Sequence, residues 1–248
     1  MLEPYVGEKN YCGYPIYQDN EVEQFITKSL EEGMQLLTHC NGDAAARQLV
    51  QCFDHVVNTH SFQNTYRPVM IHAQVVQEKE LKEMKKLGMI PSFFVAHTYY
   101  WGDVHLKNLG EQRAKRISPA RTADRLGLIY TFHQDTPVIL PNMFETIDCA
   151  VNRQTKNGIC LDSNEDSTTQ RLDAIDALKA VTINAAYQYF EEKEKGSLVV
   201  GKKADFIIVD QNPFTIEDQI KNGKLKNICV LQTYKDGICL YKREKEEL

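Results

Sequence analysis

Four short apolar runs each stop at a polar side chain able to bind a metal: Leu36-Leu37-Thr38-His39, Val69-Met70-Ile71-His72, Phe94-Val95-Ala96-His97 and Ile129-Tyr130-Thr131-Phe132-His133-Gln134-Asp135. Continuous apolar and β-branched runs of this length predict strands buried on both faces, as in a parallel sheet. Between them the periodicity becomes helical. Ala44, Leu49, Val50, Phe53, Val56 and Val57 form a stripe after the first run, with Asp43 as its cap. Glu78 to Leu87 is a charged amphipathic helix closed by Gly88. A helix ending at Gly127 precedes the fourth run, and others are predicted around Phe144–Val151, Arg171–Val181 and Asn184–Glu192. Thr98 to His105 is predicted as a long loop. Strand and helix in alternation imply parallel strands joined by right-handed crossovers.

The polar ends fall at positions 39, 72, 97 and 135, at intervals of 33, 25 and 38 residues. A (β/α)8 barrel of about 250 residues allots roughly 31 to each unit and gathers its functional side chains at the C-terminal strand ends. The predicted fold class is therefore α/β, part of a TIM-like barrel. Near residue 195 the texture changes to short strand-like runs at Phe206–Val209, Ile228–Tyr234 and Ile238–Tyr241. Lys235-Asp236-Gly237 between the last two is a hairpin signal. The expected organisation is a partial barrel over 1–194 and a small β-structured module over 195–248, with a frayed charged end at Lys242–Leu248.

Composition narrows the classes. An apolar fraction of 42% and a charged fraction of 25% are those of a soluble globular protein. The net charge of −5, without a basic stripe, argues against nucleic acid and anionic membrane as partners. No apolar run reaches the roughly 18–20 residues of a membrane span. Met1 to Tyr5 shows no signal-peptide pattern. Seven cysteines, an odd number with no CxxC pair, fit reduced thiols in a cytoplasmic protein. Cys40 follows His39 on a strand and so points to the opposite face, where it is expected to be packing filler.

His39, His72 and Asp135 are the candidate metal ligands, because imidazoles with a carboxylate suit zinc or a similar divalent ion. A histidine at a strand end also serves as a hydrogen-bonded structural residue, and spacing alone leaves both roles open. His97 is a candidate fourth ligand or substrate contact. Tyr99, Tyr100, Trp101, Asp103 and His105 either line a substrate pocket or simply cover the barrel end. His133 shares a strand face with Asp135 and either orients it or bonds to backbone. His55 and His60, on a helix and at its exit, are expected at the surface, as is the Glu191–Lys195 charge run.

Three segments resemble successive signatures of the metal-dependent amidohydrolase superfamily: Thr38-His39-Cys40-Asn41-Gly42-Asp43, Ile71-His72-Ala73-Gln74 and Phe132-His133-Gln134-Asp135-Thr136-Pro137. The branch resembled is amidohydrolase family 3, with its N-substituted formamide deformylase-like and exoenzyme-regulatory-protein-like members. Gly196-Ser197-Leu198-Val199-Val200-Gly201-Lys202-Lys203-Ala204-Asp205-Phe206 is similar to the family's entry into a composite β-sandwich, and Tyr100-Trp101-Gly102-Asp103 and Ala150-Val151-Asn152-Arg153 are family-like. The resemblance implies that His39 and His72 are ligands from the fifth and sixth barrel strands. It makes Asp135, from the eighth, both ligand and general base. His97, from the seventh, would contact a small amide or formamide-like substrate with Tyr100, Trp101 and Asp103.

The family pattern also includes a first-strand His-x-His and a fourth-strand lysine. No histidine precedes His39 in this sequence. The expectation is thus the C-terminal half of a hydrolase of non-peptide carbon–nitrogen bonds, with an incomplete divalent-metal site. Such a half would self-associate or bind a separate N-terminal half. The alternative is a non-catalytic binding or assembly fragment that keeps the fold.

Overall fold

A computed structural model describes residues 1–60, 65–162, 169–214 and 225–244. The first helix, α1, spans Asp19–Glu31, and the first strand, β1, spans Leu37–Cys40. Helix α2 (Asp43–His60), β2 (Val69–His72), α3 (Glu78–Lys86) and β3 (Ile90–Phe93) follow. Four short helices then run in series: α4 (His97–Tyr100), α5 (Gly102–Leu109), α6 (Glu111–Ala114) and α7 (Ala120–Arg125). Strand β4 (Thr131–Phe132) leads to α8 (Met143–Asn152), α9 (Ala174–Ala180) and α10 (Ile183–Gln188). The tail holds β5 (Phe206–Val209), a single 3-10 turn at Leu225–Asn227, β6 (Val230–Lys235) and β7 (Ile238–Lys242).

Strands β1 to β4 form one parallel sheet in sequence order, with His39 opposite Ile71 and His72 opposite Phe93. The α/β class and the parallel sheet agree with the sequence pattern. Two local expectations do not. The third strand is Ile90–Phe93, so Phe94 to His97 is the turn and helix start after it rather than a strand ending in His97. The segment Thr98 to His105 is mostly helical, in α4 and α5, rather than a long loop.

The cause of the first correction lies in pairing. Met89 to Ala96 is apolar apart from Ser92, and register with β2 decides which part becomes strand. Pro91 lacks an N–H, which normally bars proline from a central strand. Here the Ile90 N–H donates to Pro68 O on the β2 side, at 2.8 Å. The nitrogen of Pro91 therefore points to the β4 side, where pairing starts only at Ser92. No ladder bond is lost.

The core lies between this sheet and its helices. Cys40, Met70, Phe93 and Phe132 pack in one cluster with Val50 and Phe53 of α2 and Ile147 of α8. Cys40 donates a long thiol contact to Ala45 O, and burial pushes its pKa up to about 12, as befits a packed, inert thiol. The other sheet face is partly open: Leu37 is 42% exposed and His39 is also exposed. Parallel sheets almost always have both faces covered.

Strands β5, β6 and β7 form a separate antiparallel sheet, in that order. The tail is tied to the rest of the chain, because Leu225 and Ile228 are buried within the main core cluster. Gly196, the first residue of the Gly-Ser-Leu motif, has φ of +87° and sits against α10. A Cβ there would lie 2.7 Å from Ala186 Cβ and 3.0 Å from Ile183 Cα. Both the backbone angle and the close approach require glycine. Residues 245–248 of the expected frayed end lie outside the described residues.

Candidate metal centre

Three donor groups converge just beyond the C-terminal ends of the parallel strands. Ligand atoms of His72, His133 and Asp135 all lie within 4.8 Å of one another. His133 Nε2 stands 3.2 Å from His72 Nδ1. The ring of His39 is beside that of His72, with centroids 4.4 Å apart and planes at 76°.

Strand alternation alone would not produce this arrangement. His72 is in register with Cys40 and Phe93, residues of the helix-facing core, whereas His39 lies on the opposite row. The pleat ends at His72, where φ is +71°, and Ala73 follows at +45°. These left-handed residues turn the imidazole toward His39. Asp135, at φ of +52°, is turned in the same manner three residues past the end of β4. Non-glycine residues in this region are uncommon and cluster at functional sites.

The surroundings fix the rings. Ser92 Oγ bonds to His133 Nδ1 at 3.0 Å, and Phe94 stacks on the His133 ring at 5.6 Å and 27°. Asn41 Nδ2 lies 3.3 Å from His39 Nε2. His97 opens α4 rather than closing a strand, yet its ring reaches to 5.8 Å from that of His72. Trp101 stands edge-on behind His97 at 5.5 Å. Tyr100 and Asp103 are engaged elsewhere: the Tyr100 hydroxyl donates to Glu145 Oε1 at 2.6 Å, and Thr155 Oγ1 donates to Asp103 Oδ1 at 2.9 Å. His105 contacts Gln74 at 2.7 Å and lies against His97 at 5.9 Å, joining the Ile-His-Ala-Gln segment to the same cluster. Ser92 escaped the sequence reading, because a serine inside an apolar strand carries no spacing signal.

Burial favours the neutral forms of His72, His97 and His133. His97 is pushed down to about 3, first by burial and then by the neighbouring His105 and His72. His133 is pushed down to about 4, first by burial and then by His72, with Asp135 opposing. His72 is lowered mainly by burial, then by His39, with Asp135 again opposing. Neutral imidazoles are the form that ligates a metal. The donor chemistry therefore fits a divalent metal ion.

The same shifts carry a consequence for stability. In the unfolded chain His97 and His133 take protons near 6.5, but in the folded chain only near 3 and 4. Between those values the unfolded state binds more protons, so stability is full above pH 6.5 and falls as the pH drops. Metal-free protein is expected to lose a few kcal/mol between pH 7 and pH 4, on the order of the 1.4 kcal/mol per unit of linkage. Urea melts across this range check it. In the double variant His97→Gln/His133→Gln the slope should flatten, and an unchanged slope refutes the assignment.

The class is an α/β fold with imidazoles and a carboxylate gathered at the ends of a parallel sheet. Comparison with known proteins gives the family. The amidohydrolase family profile matches residues 1–241. N-substituted formamide deformylase of Arthrobacter pascens is 26% identical over 238 residues, 96% of this chain and 42% of that protein. The LONG AFTER FAR-RED 3 protein of Arabidopsis thaliana is 27% identical over 97% of this chain and 40% of its own length. Among solved structures, an uncharacterized metal-dependent hydrolase from Pyrococcus horikoshii superposes with a TM-score of 0.71 at 25% identity, covering 87% of this chain and 42% of that one. Its counterpart from Pyrococcus furiosus, at 23% identity and a TM-score of 0.70, shares the fold. The chain belongs to the amidohydrolase family, in the family 3 branch. It spans about two-fifths of the length of these relatives. Among the described residues no helix is long and apolar enough to cross a membrane.

Proposed function

We propose that this chain is the C-terminal, metal-binding portion of a hydrolase that cleaves the carbon–nitrogen bond of small amide or formamide-like substrates in the cytoplasm. The observation that supports this reading is that His39 packs against His72, whose ligand atom lies within 4.8 Å of those of His133 and Asp135, at one end of a parallel sheet in a family 3 chain. On this reading residues 1–194 are four strands of a TIM-like barrel, and 195–248 contribute strands to a composite β-sandwich. His39, His72 and Asp135 would hold a divalent ion, zinc by donor type. When bound, such an ion polarises a carbonyl and lowers the pKa of water toward neutrality.

The residues supply the proton traffic. Asp135 accepts a proton from the attacking water as the water oxygen bonds to the carbonyl carbon. It then returns that proton to the nitrogen as the C–N bond breaks, giving a carboxylic acid and an amine. His97 beside the cluster, with Trp101 behind it, offers a neutral imidazole to the substrate. Tyr100 and Asp103 support the wall through Glu145 and Thr155.

The open sheet face, with Leu37 and His39 exposed, favours completion of the barrel by further strands, from a longer polypeptide, a separate N-terminal half or a second copy. The same openness supports a second reading, a fragment that binds or assembles without turning over substrate. Elemental analysis and turnover of an N-substituted formamide, with and without the family's N-terminal half co-expressed, separate the two. The expected result is bound metal in both samples and turnover only in the completed one. Metal-loaded, completed protein with no turnover of amides or formamides sinks the hydrolase reading.

A further inference from the structure

The motifs Tyr100-Trp101-Gly102-Asp103 and Ala150-Val151-Asn152-Arg153 start 50 residues apart in the chain, yet the first is held by a residue just past the second, Thr155. We propose that Thr155 is the positioning residue for the wall formed by α4 and α5, fixing where His97 and Trp101 stand. The proposal deepens the reading above, in which these two side chains face the substrate, and rests on it.

The first observation is steric. Gly102 opens α5 as a buried residue, and a Cβ there would lie 2.6 Å from Thr155 Cγ2 and 3.3 Å from Thr155 Cβ. Gly102 is not among the left-handed glycines, and alanine is the better helix former by about 1 kcal/mol. What demands glycine here is the methyl group of Thr155. The second observation is polar. Thr155 is buried, and its Oγ1 donates to Asp103 Oδ1 at 2.9 Å while accepting from the Ile159 N–H at 3.1 Å. One side chain thus holds two successive residues of α5, by its methyl and by its hydroxyl. The next residue grips α4, because the Lys156 N–H donates to Tyr99 O at 2.9 Å.

Thr155 is itself firmly held. Its N–H donates to Ile159 O at 2.8 Å, its carbonyl accepts from the Gly158 N–H at 2.9 Å, and Gln154 pairs with Cys160. Arg153, left-handed at the end of α8, turns the chain into this hairpin and is anchored to Asp162 on its far side. The wall in front is aromatic. Trp101 stands 5.5 Å from His97 and 5.9 Å from Phe94, and Tyr100 lies 5.6 Å from Trp101. A displacement at Gly102 therefore moves Trp101, its immediate neighbour, and the ring of His97 packed on it. Misplacing a substrate contact by about 1 Å can cost up to ~10²-fold in rate.

Trp101 is the sole tryptophan of the chain, so its fluorescence reads the wall directly. Gly102→Ala is expected to shift the emission to the red, raise acrylamide quenching and lower the melting temperature, against the helix preference of alanine. Thr155→Ser removes the methyl and keeps the hydroxyl. The double variant Gly102→Ala/Thr155→Ser should therefore return emission, quenching and melting most of the way to wild type. Loss of packing without this specific contact would make the double variant worse than either single one. Wild-type emission and melting in Gly102→Ala overturn the proposal. So does a double variant no closer to wild type than Gly102→Ala, whether that single variant folds or not. In the completed enzyme Gly102→Ala should raise KM for an N-substituted formamide about tenfold and leave kcat near that of wild type, the pattern of lost uniform binding. The double variant should restore KM. An unchanged KM in a variant whose Trp101 emission has shifted overturns the positioning role and leaves the hydrolase reading intact. Absence of turnover in the wild-type enzyme sinks that reading instead, and the fluorescence rescue still decides whether Thr155 sets the wall.

Discussion

Replacing Asp135 by asparagine in the completed, metal-loaded enzyme is expected to lower kcat by about 10²–10⁴-fold, the range for removal of a positioned acid–base group. Asparagine keeps the shape of the side chain and one oxygen donor, but it cannot take a proton from water or return it to a leaving amine. The loss should fall on kcat and on kcat/KM together, because the missing interaction belongs to the transition state. Steady-state turnover of an N-substituted formamide, with metal content measured on the same samples, reads it. A variant with wild-type metal content and kcat within threefold of wild type would remove Asp135 from the mechanism.

The second large effect concerns stability. Arg153 is 1% exposed, and its Nε donates to Asp162 Oδ2 at 2.5 Å. Its Nη2 donates to Lys115 O at 2.9 Å and its Nη1 to Ser118 O at 3.4 Å. Burial lowers the pKa of this guanidinium, and Asp162 beside it opposes that shift. The residue closes α8 in a left-handed conformation, φ +49°, so one side chain ties the end of α8 to the segment before α7 and to Asp162. Arg153→Ala leaves a buried carboxylate without its cation, and breaking a buried pair in this way costs about 3–5 kcal/mol. For a chain of this size that is a fall in Tm of roughly 10 °C or more. The double change Arg153→Met/Asp162→Leu should recover part of the loss, because replacing both partners with apolar groups removes the unpaired charge. Calorimetry decides the point: a single variant melting within 2 °C of wild type would show that the pair carries no net stability.

Much of this architecture is legible in the chain because period follows burial. The helices behind β1 and β2, the stop at Gly88 and the Asp-Gly hairpin of the tail all stand where their local patterns put them. The third strand was harder to place. Met89 to Ala96 is apolar apart from Ser92, and such a run fixes no register. Pairing with β2 selected Ile90–Phe93, and His97 moved from a strand end to a helix start.

The sequence by itself determined the α/β class, the family and the residue types of the centre, because apolar periodicity and motif order are local properties of the chain. Tertiary structure decided which of those residues meet. By alternation His72 belongs to the face away from His39, and only left-handed backbone at His72 and Asp135 brings these side chains into the cluster. His133 joined it through Ser92 and Phe94, which lie 41 and 39 residues away along the chain. Backbone angles at strand ends and contacts between distant segments are set by packing. No window of sequence short enough to read as a motif contains them.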